Sequence, residues 1–203
     1  MAKPEGPLDR FELAGKEIAG RFRVDEAIAR GGFAVVYRGT QLVLDRRVAI
    51  KVLRLPEALA DETRQSFLRS FLDEARTMVR LTHASIVQVL DFGFVPVAGG
   101  GEAPWMALEW LDGYTLRSEL LARRGQGGMR SADAVAKLRP ALEALAFAHE
   151  QGIAHRDVKP ANIMVVPARR GTTLKVLDFG IAKLMGAESD DAGSGETRTE
   201  SLL

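Results

Sequence analysis

The chain has 203 residues, with 28 Lys plus Arg against 27 Asp plus Glu and a formal net charge of +1. That balance argues against a protein that tracks nucleic-acid phosphates, which needs a surplus of cations. The absence of cysteine removes disulfide scaffolds, thiolate metal sites and cysteine nucleophiles together, and suits a reducing cytoplasm.

Residues 1–19 mix prolines, glycines and scattered charges, and are expected to form a flexible tail. They lack the apolar core of a secretory signal, and no stretch reaches the roughly 18 uncharged apolar residues of a membrane span. From Phe22 the runs FRVDEAI, VVYRGT and VAIKVL, joined by a glycine-rich ARGGFA loop and an Asp45-Arg46-Arg47 turn, read as antiparallel strands. Asp61–Leu81 is predicted helical. At 100° per residue Phe67, Leu68, Phe71, Leu72, Ala75, Met78 and Val79 fill one arc, and Arg69, Asp73, Arg76, Thr77 and Arg80 the other. Glu74 falls at the edge of the apolar arc, where a carboxylate needs either a partner or a route back to water.

The strands IVQVLDFGF and WMALEW follow, separated by a VAGGGEAP loop. Tyr114–Ala122 is predicted as a short helix, Arg123–Gly128 as a basic loop, and Ser131–Gln151 as a long helix. In the long helix Ser131 stands as N-cap and Gly152 as the stop. Pro140 inside it predicts a kink or break. Val135, Leu138, Leu142 and Leu145 form an apolar stripe along it. Beyond Met185 large apolar residues are lacking, and disorder is expected. Sheet first, with one inserted helix, then helices, is an α+β order and disfavours a dinucleotide-binding reading of the glycine loop.

Three signals are weak one by one. The Ala29–Val36 loop lets backbone N–H groups approach phosphates, yet it also reads as a plain hairpin turn. Val48-Ala49-Ile50-Lys51 is a strand with a lysine, and Asp178-Phe179-Gly180 is a bare tripeptide. The three histidines, His83, His149 and His155, fit no zinc spacing. His155-Arg156-Asp157-Val158-Lys159-Pro160-Ala161-Asn162 is more specific: an acid, a cation and an amide stand at fixed offsets, with Asp178 following downstream.

Together these motifs resemble the eukaryotic-type protein kinase family, in its bacterial Ser/Thr branch. The resemblance runs from about Phe22 onward and includes Lys51, Glu74 in FLDEARTMVRLTHASIVQVLD, the hinge-like ALEWLDGYTL, HRDVKPAN and DFGIAK. It implies a two-lobe fold: an N-lobe over 20–112 with a five-stranded antiparallel sheet and one helix, and a mainly helical C-lobe begun over 113–184. The family continues through a docking loop, an A-P-E motif and further helices. The C-lobe is therefore expected to be incomplete, with 185–203 a truncated, disordered activation segment.

The resemblance also implies roles. Lys51 binds the α- and β-phosphates of ATP and pairs with Glu74. Asp157 accepts the proton of the substrate hydroxyl, Lys159 neutralises charge on the transferred phosphoryl group, and Asn162 and Asp178 hold two Mg²⁺ ions. Ile28, Ala29, Gly31, Gly32, Phe33 and Ala34 belong to the phosphate loop. Val36, Ala49 and Met164 sandwich the adenine, Leu108 is the gatekeeper, and Glu109 and Leu111 offer backbone groups. Arg156 is positioned to pair with a phosphate on Thr197, Thr199 or Ser201. Lys159 after the aspartate points to Ser/Thr hydroxyls of a protein substrate. In the family's G-x-G-x-x-G-x-V pattern the first and third glycines are here Ala29 and Ala34, which is expected to hinder rather than block phosphate approach. The alternative reading is an ATP-binding fragment or interaction module that turns over weakly or not at all.

Overall fold

A computed structural model describes residues 8–32, 34–55, 61–98 and 101–179. Its described part divides into two units, one containing the residues up to Ala75 and Val89–Trp110, the other Arg76–Gln88 and the residues from Leu111. The division passes through α1 (Asp61–Arg80).

The first unit is built on β1 (Glu17–Ile18), β2 (Phe22–Arg30), β3 (Ala34–Gln41), β4 (Arg46–Leu53), β5 (Val89–Pro96) and β6 (Glu102–Glu109). These form a six-stranded sheet in the order β1-β2-β3-β4-β6-β5, with every neighbour antiparallel. The expected five strands become six because Glu17 and Ile18 pair with Arg23 and Phe22.

The period-2 alternation along the strands separates two faces. On one face Val24, Val35, Tyr37, Val48, Ile50, Val52, Trp105 and Ala107 form a buried core with Phe11, Leu13, Ile18 and Phe22. Residues 8–18 are therefore packed structure, which corrects the expected tail over 1–19 for this stretch. Three apolar side chains bury there, and Asp9 ties the segment down. Its Oδ1 accepts the Leu13 N–H at 3.0 Å and the Tyr37 hydroxyl at 2.7 Å, and its Oδ2 accepts the Ala14 N–H at 3.0 Å. Burial pushes the Asp9 carboxyl up, but hydrogen bonds from Ala14, Tyr37, Leu13 and Glu12 outweigh it and hold the group below its usual value. Burial and the adjacent Asp9 push the Tyr37 phenol up.

A carboxyl depressed in the folded state contributes stability above its unfolded value of 3.8 and loses it as pH falls through the lower folded value. Asp9→Ala is expected to lower stability by about 1–2 kcal/mol at neutral pH. Urea unfolding curves of variant and wild type should converge as the pH drops below the folded-state value.

Gly39 closes this region, since an added Cβ would lie 2.6 Å from the Arg23 carbonyl and 2.6 Å from Ile50 Cδ1. On the opposite sheet face α1 packs through Phe71, whose ring lies 6.4 Å from Phe92 and 5.8 Å from Phe94 on β5. Phe71 and Ala75 are fully buried, as the apolar arc requires.

The second unit contains β7 (Tyr114–Thr115), α2 (Leu116–Ala122), α3 (Ser131–Glu150), a 3-10 turn at Pro160–Asn162, β8 (Ile163–Pro167) and β9 (Thr172–Val176). The strands form a small antiparallel sheet, β7-β8-β9. Four expectations are corrected here. Tyr114 and Thr115 are strand, and the helix begins at Leu116 because Thr115 caps it: Thr115 Oγ1 accepts the Ser118 N–H at 3.1 Å. Arg130, not Ser131, is the N-cap of α3; its side chain makes two hydrogen bonds to Asp133. Pro140 does not break α3. The carbonyl it leaves without an N–H belongs to Ala136, an exposed residue, so water can satisfy it. The long strand expected from Ile86 starts at Val89. Ile86 instead bridges Val176, with the Val87 N–H donating to the Val176 carbonyl and the Val176 N–H to the Ser85 carbonyl.

Gly152 stops α3 as expected, at φ +75°. The buried face of α3 is alanine, at Ala141, Ala144 and Ala148, whereas Val135 and Leu142 of the apolar stripe are exposed.

Candidate active site

Strand register lines up the expected nucleotide-contacting residues of the first unit. Directly paired residues in an antiparallel sheet share a face. Ala29 pairs with Val36, Val36 with Lys51, Lys51 with Met106, and Met106 with Phe92. The neighbouring row joins Arg38, Ala49 and Leu108. Val36, Ala49, Lys51 and Leu108 thus stand together on the face opposite the Tyr37–Ile50 core. Glu109 pairs with Val48 and belongs to the other face, leaving its backbone as the part relevant to a ligand. Ile28 is the extra residue of a bulge between Ala27 and Ala29, a device that re-aims a strand at a site.

The glycine loop is a hairpin closed by the Gly31 N–H on the Ala34 carbonyl at 2.8 Å. Ala29 and Ala34 are strand residues, paired with Val36 and Leu53. Neither Gly31 nor Gly32 has a positive φ. A Cβ on Gly31 would meet only the Ala34 carbonyl at 3.8 Å, and one on Gly32 nothing within 4 Å. The fold itself does not demand glycine at either position, so the open space above them suits a group that approaches the backbone closely. Phe33 lies outside the described residues.

Glu74 is half-buried on α1, about one turn from the buried Phe71. Lys51 is engaged by a contact of its own, and its expected pairing with Glu74 belongs to the proposed function below.

In the second unit the chemistry-bearing residues converge. Asp157 Oδ2 lies 2.8 Å from Lys159 Nζ and accepts from Asn162 Nδ2 at 2.9 Å; the same Nδ2 donates to the Asp157 carbonyl at 2.9 Å. Asn162 is buried, and this geometry leaves its Oδ1 as the oxygen open to a cation.

Beneath the cluster sits His155, 1% exposed. Its Nδ1 accepts the Asp157 N–H at 3.3 Å, so the proton belongs on Nε2, which donates to the Leu177 carbonyl at 2.7 Å. The Leu177 N–H donates to the Asn162 carbonyl at 2.8 Å. Both backbone groups of Leu177, the residue before Asp178, are therefore held by the 155–162 loop. The buried Phe179 ring lies 4.6 Å from the His155 ring, tilted by 54°. Arg156 and Asp178 have left-handed backbones, at φ +65° and +58°. Such strain costs about 1–3 kcal/mol each and gathers at functional sites.

Met164 is half-buried on β8, and Leu111 opens the second unit. Arg156 is exposed; its expected phosphate partners Thr197, Thr199 and Ser201 lie outside the described residues. Sequence reasoning assigned His155 no role. Its place in the motif was the available signal, but only burial and the two ring-nitrogen contacts show what it does.

Among the described residues no group of three or more His, Asp or Glu is set to hold a metal. The Asn162 amide and the Asp178 carboxylate offer the hard oxygen donors that Mg²⁺ takes. No helix among the described residues is long and apolar enough to cross a membrane.

This two-unit α+β architecture, with an Asp–Lys–Asn cluster held against a second aspartate, is that of a protein kinase catalytic region. The family model described as "Protein kinase domain" matches residues 22–200, and the chain belongs to that family. It is 40% identical over 94% of its length to the serine/threonine-protein kinase pkn3 of Myxococcus xanthus, covering 32% of that protein. It is 36% identical over its full length to the serine/threonine-protein kinase PknB of Mycobacterium tuberculosis, covering 28% of it. The chain thus spans about a third of the curated relatives it matches. Among solved structures, the PknI kinase domain of M. tuberculosis matches with a TM-score of 0.66 and 28% identity, over 83% of this chain and 62% of that one. PpkA-294 in its apo form matches with a TM-score of 0.68 and 30% identity, over 87% and 64%.

Proposed function

We propose that the chain is a serine/threonine protein kinase region that transfers the γ-phosphoryl group of Mg-ATP to hydroxyls of a protein substrate. The observation that carries this reading is the cluster of Asp157, Lys159 and Asn162, clamped through His155 and Leu177 to Asp178. Phosphoryl transfer needs positioning and charge stabilisation more than covalent chemistry from the protein. Asp157 orients the acceptor hydroxyl and takes its proton. Lys159 offsets negative charge on the transferred group. The Asn162 Oδ1 and the Asp178 carboxylate are the oxygens that hold Mg²⁺, which when bound neutralises charge on the phosphate oxygens.

In the first unit, read as the ATP-binding lobe, Lys51 meets the α- and β-phosphates. Gly31 and Gly32 leave room for them, and Val36, Ala49 and Leu108 form an apolar seat for the adenine. Glu74 stabilises Lys51 when the two charges meet. Ala29 and Ala34, already accommodated as strand residues, lower affinity without excluding the nucleotide. The reading places the reaction in the cytoplasm, where Mg-ATP is available, and has Arg156 pair with a phosphate on Thr197, Thr199 or Ser201.

Lys51→Met tests the nucleotide half of the proposal. Wild type is expected to gain thermal stability on addition of excess Mg-ATP, since ligand binding only to the native state stabilises it. The variant should keep its unliganded melting temperature and lose most of that gain. An equal shift in both proteins would remove Lys51 from the ATP site.

A further inference from the structure

The last ladder pair of β4 with β6 is Val48 with Glu109, and one step further the register sets Arg47 opposite Trp110. The two side chains meet. The Arg47 guanidinium carbon lies over the Trp110 ring, 5.8 Å from its centroid, within the range of a cation–π contact. Residues two apart along a strand share a face. Arg47 therefore continues the line of Lys51 and Ala49, and Trp110 that of Met106 and Leu108, on the face opposite the Tyr37–Ile50 core. The stack forms the next row beyond Ala49 and Leu108, at the end of the apolar seat proposed for the adenine. Its place in the chain matters as much. Trp110 lies just past the end of β6 and is the residue at which the chain leaves the first unit. It also separates Glu109 from Leu111, the two residues expected to offer backbone groups to the base. The ladder no longer pairs the backbone at Trp110, and the Arg47 stack ties it back to β4. Both residues make further contacts as well, and neither has to be free for this tie to act.

We propose that Arg47 is a positioning residue for nucleotide binding: by holding the Trp110 ring against β4, it fixes the backbone of Glu109 to Leu111 in the conformation that receives the base. The inference rests on the kinase reading of the seat and adds to it a residue outside the motifs that carry that reading. Backbone that is fixed in advance costs less to order when a ligand arrives, so the tie is expressed as affinity. The effect belongs to the base end of the ligand. It is the same for adenosine, which carries no phosphate, as for Mg-ATP. A guanidinium acting only as a surface cation would do the opposite, favouring ATP alone and fading as salt is raised.

The test measures binding of adenosine and of Mg-ATP to the whole chain by calorimetry, at low and at high salt. Arg47→Ala is expected to weaken both ligands by the same factor, about two- to five-fold, as an exposed cation–π contact carries. Its melting temperature should not change, because Arg47 is exposed. Arg47→Lys, which keeps a cation over the ring, should recover part of the loss. Trp110→Leu should cost as much as Arg47→Ala, and the double variant no more than either, the mark of two residues acting as one. Arg46→Ala, which removes the neighbouring exposed cation, should leave both affinities intact. In phosphate transfer the loss should raise the KM for ATP rather than lower kcat. An unchanged adenosine affinity in Arg47→Ala, a loss confined to Mg-ATP, or additive losses in the double variant overturns the inference and leaves the kinase reading standing. A wild-type chain that binds neither ligand overturns both.

Discussion

Asp157→Asn is expected to lower the rate of phosphate transfer by about 10²–10⁴-fold, the range a positioned general base contributes, while the protein stays folded and still binds Mg-ATP. The substitution keeps side-chain size, and the Asn162 Nδ2 bond to the backbone carbonyl of residue 157 does not depend on the carboxylate. What disappears is the negative oxygen that Lys159 and Asn162 both contact. The acceptor hydroxyl then has nowhere to send its proton. The loss should appear in kcat, with the KM for ATP little changed. Single-turnover transfer, paired with a thermal melt, makes the measurement; a variant that retains a tenth of wild-type activity would remove Asp157 from the catalytic role.

His155→Ala is expected to cost about 3–5 kcal/mol of stability, as for a large side chain removed from a buried site. His155→Phe should cost less, about 1–3 kcal/mol, because the ring and its contact with Phe179 survive while the Leu177 carbonyl loses its donor. His155 touches neither reacting group, so its role is positional. It holds the peptide unit before Asp178 against the loop that carries Asp157 and Asn162. A purely structural residue would change stability alone. If the clamp positions Asp178, the Phe variant should also need several-fold more Mg²⁺ for half-maximal transfer, whereas Asp157→Asn should not. Urea unfolding and a Mg²⁺ titration of transfer separate the two effects.

The chemistry was legible in the sequence because it is written locally. Asp157, Lys159 and Asn162 lie within six residues, and a short loop is enough to bring them together. The α+β order and the extents of α1 and α3 were legible for a similar reason, since amphipathic periodicity is also local. What escaped depended on distant partners. Phe11, Leu13 and Ile18 follow no sustained period, and only the sheet face they cover explains their burial. Asp9 looked like one more scattered charge until Tyr37, twenty-eight positions away, was found donating to it. Pro140 predicts a kink or break because sequence does not show that the residue whose carbonyl it orphans, Ala136, is exposed. The shared face of Val36, Ala49, Lys51 and Leu108 required the register of three strands, which no single run specifies.

The most direct test of the central claim is phosphoamino-acid analysis after incubating the chain with radiolabelled γ-³²P-ATP, Mg²⁺ and a Ser-, Thr- and Tyr-containing protein, beside Asp157→Asn. The account expects label on phosphoserine or phosphothreonine and none on phosphotyrosine, dependent on Mg²⁺ and lost in the variant. Label on tyrosine, undiminished label with Asp157→Asn, or no incorporation by a folded chain that binds Mg-ATP would contradict it.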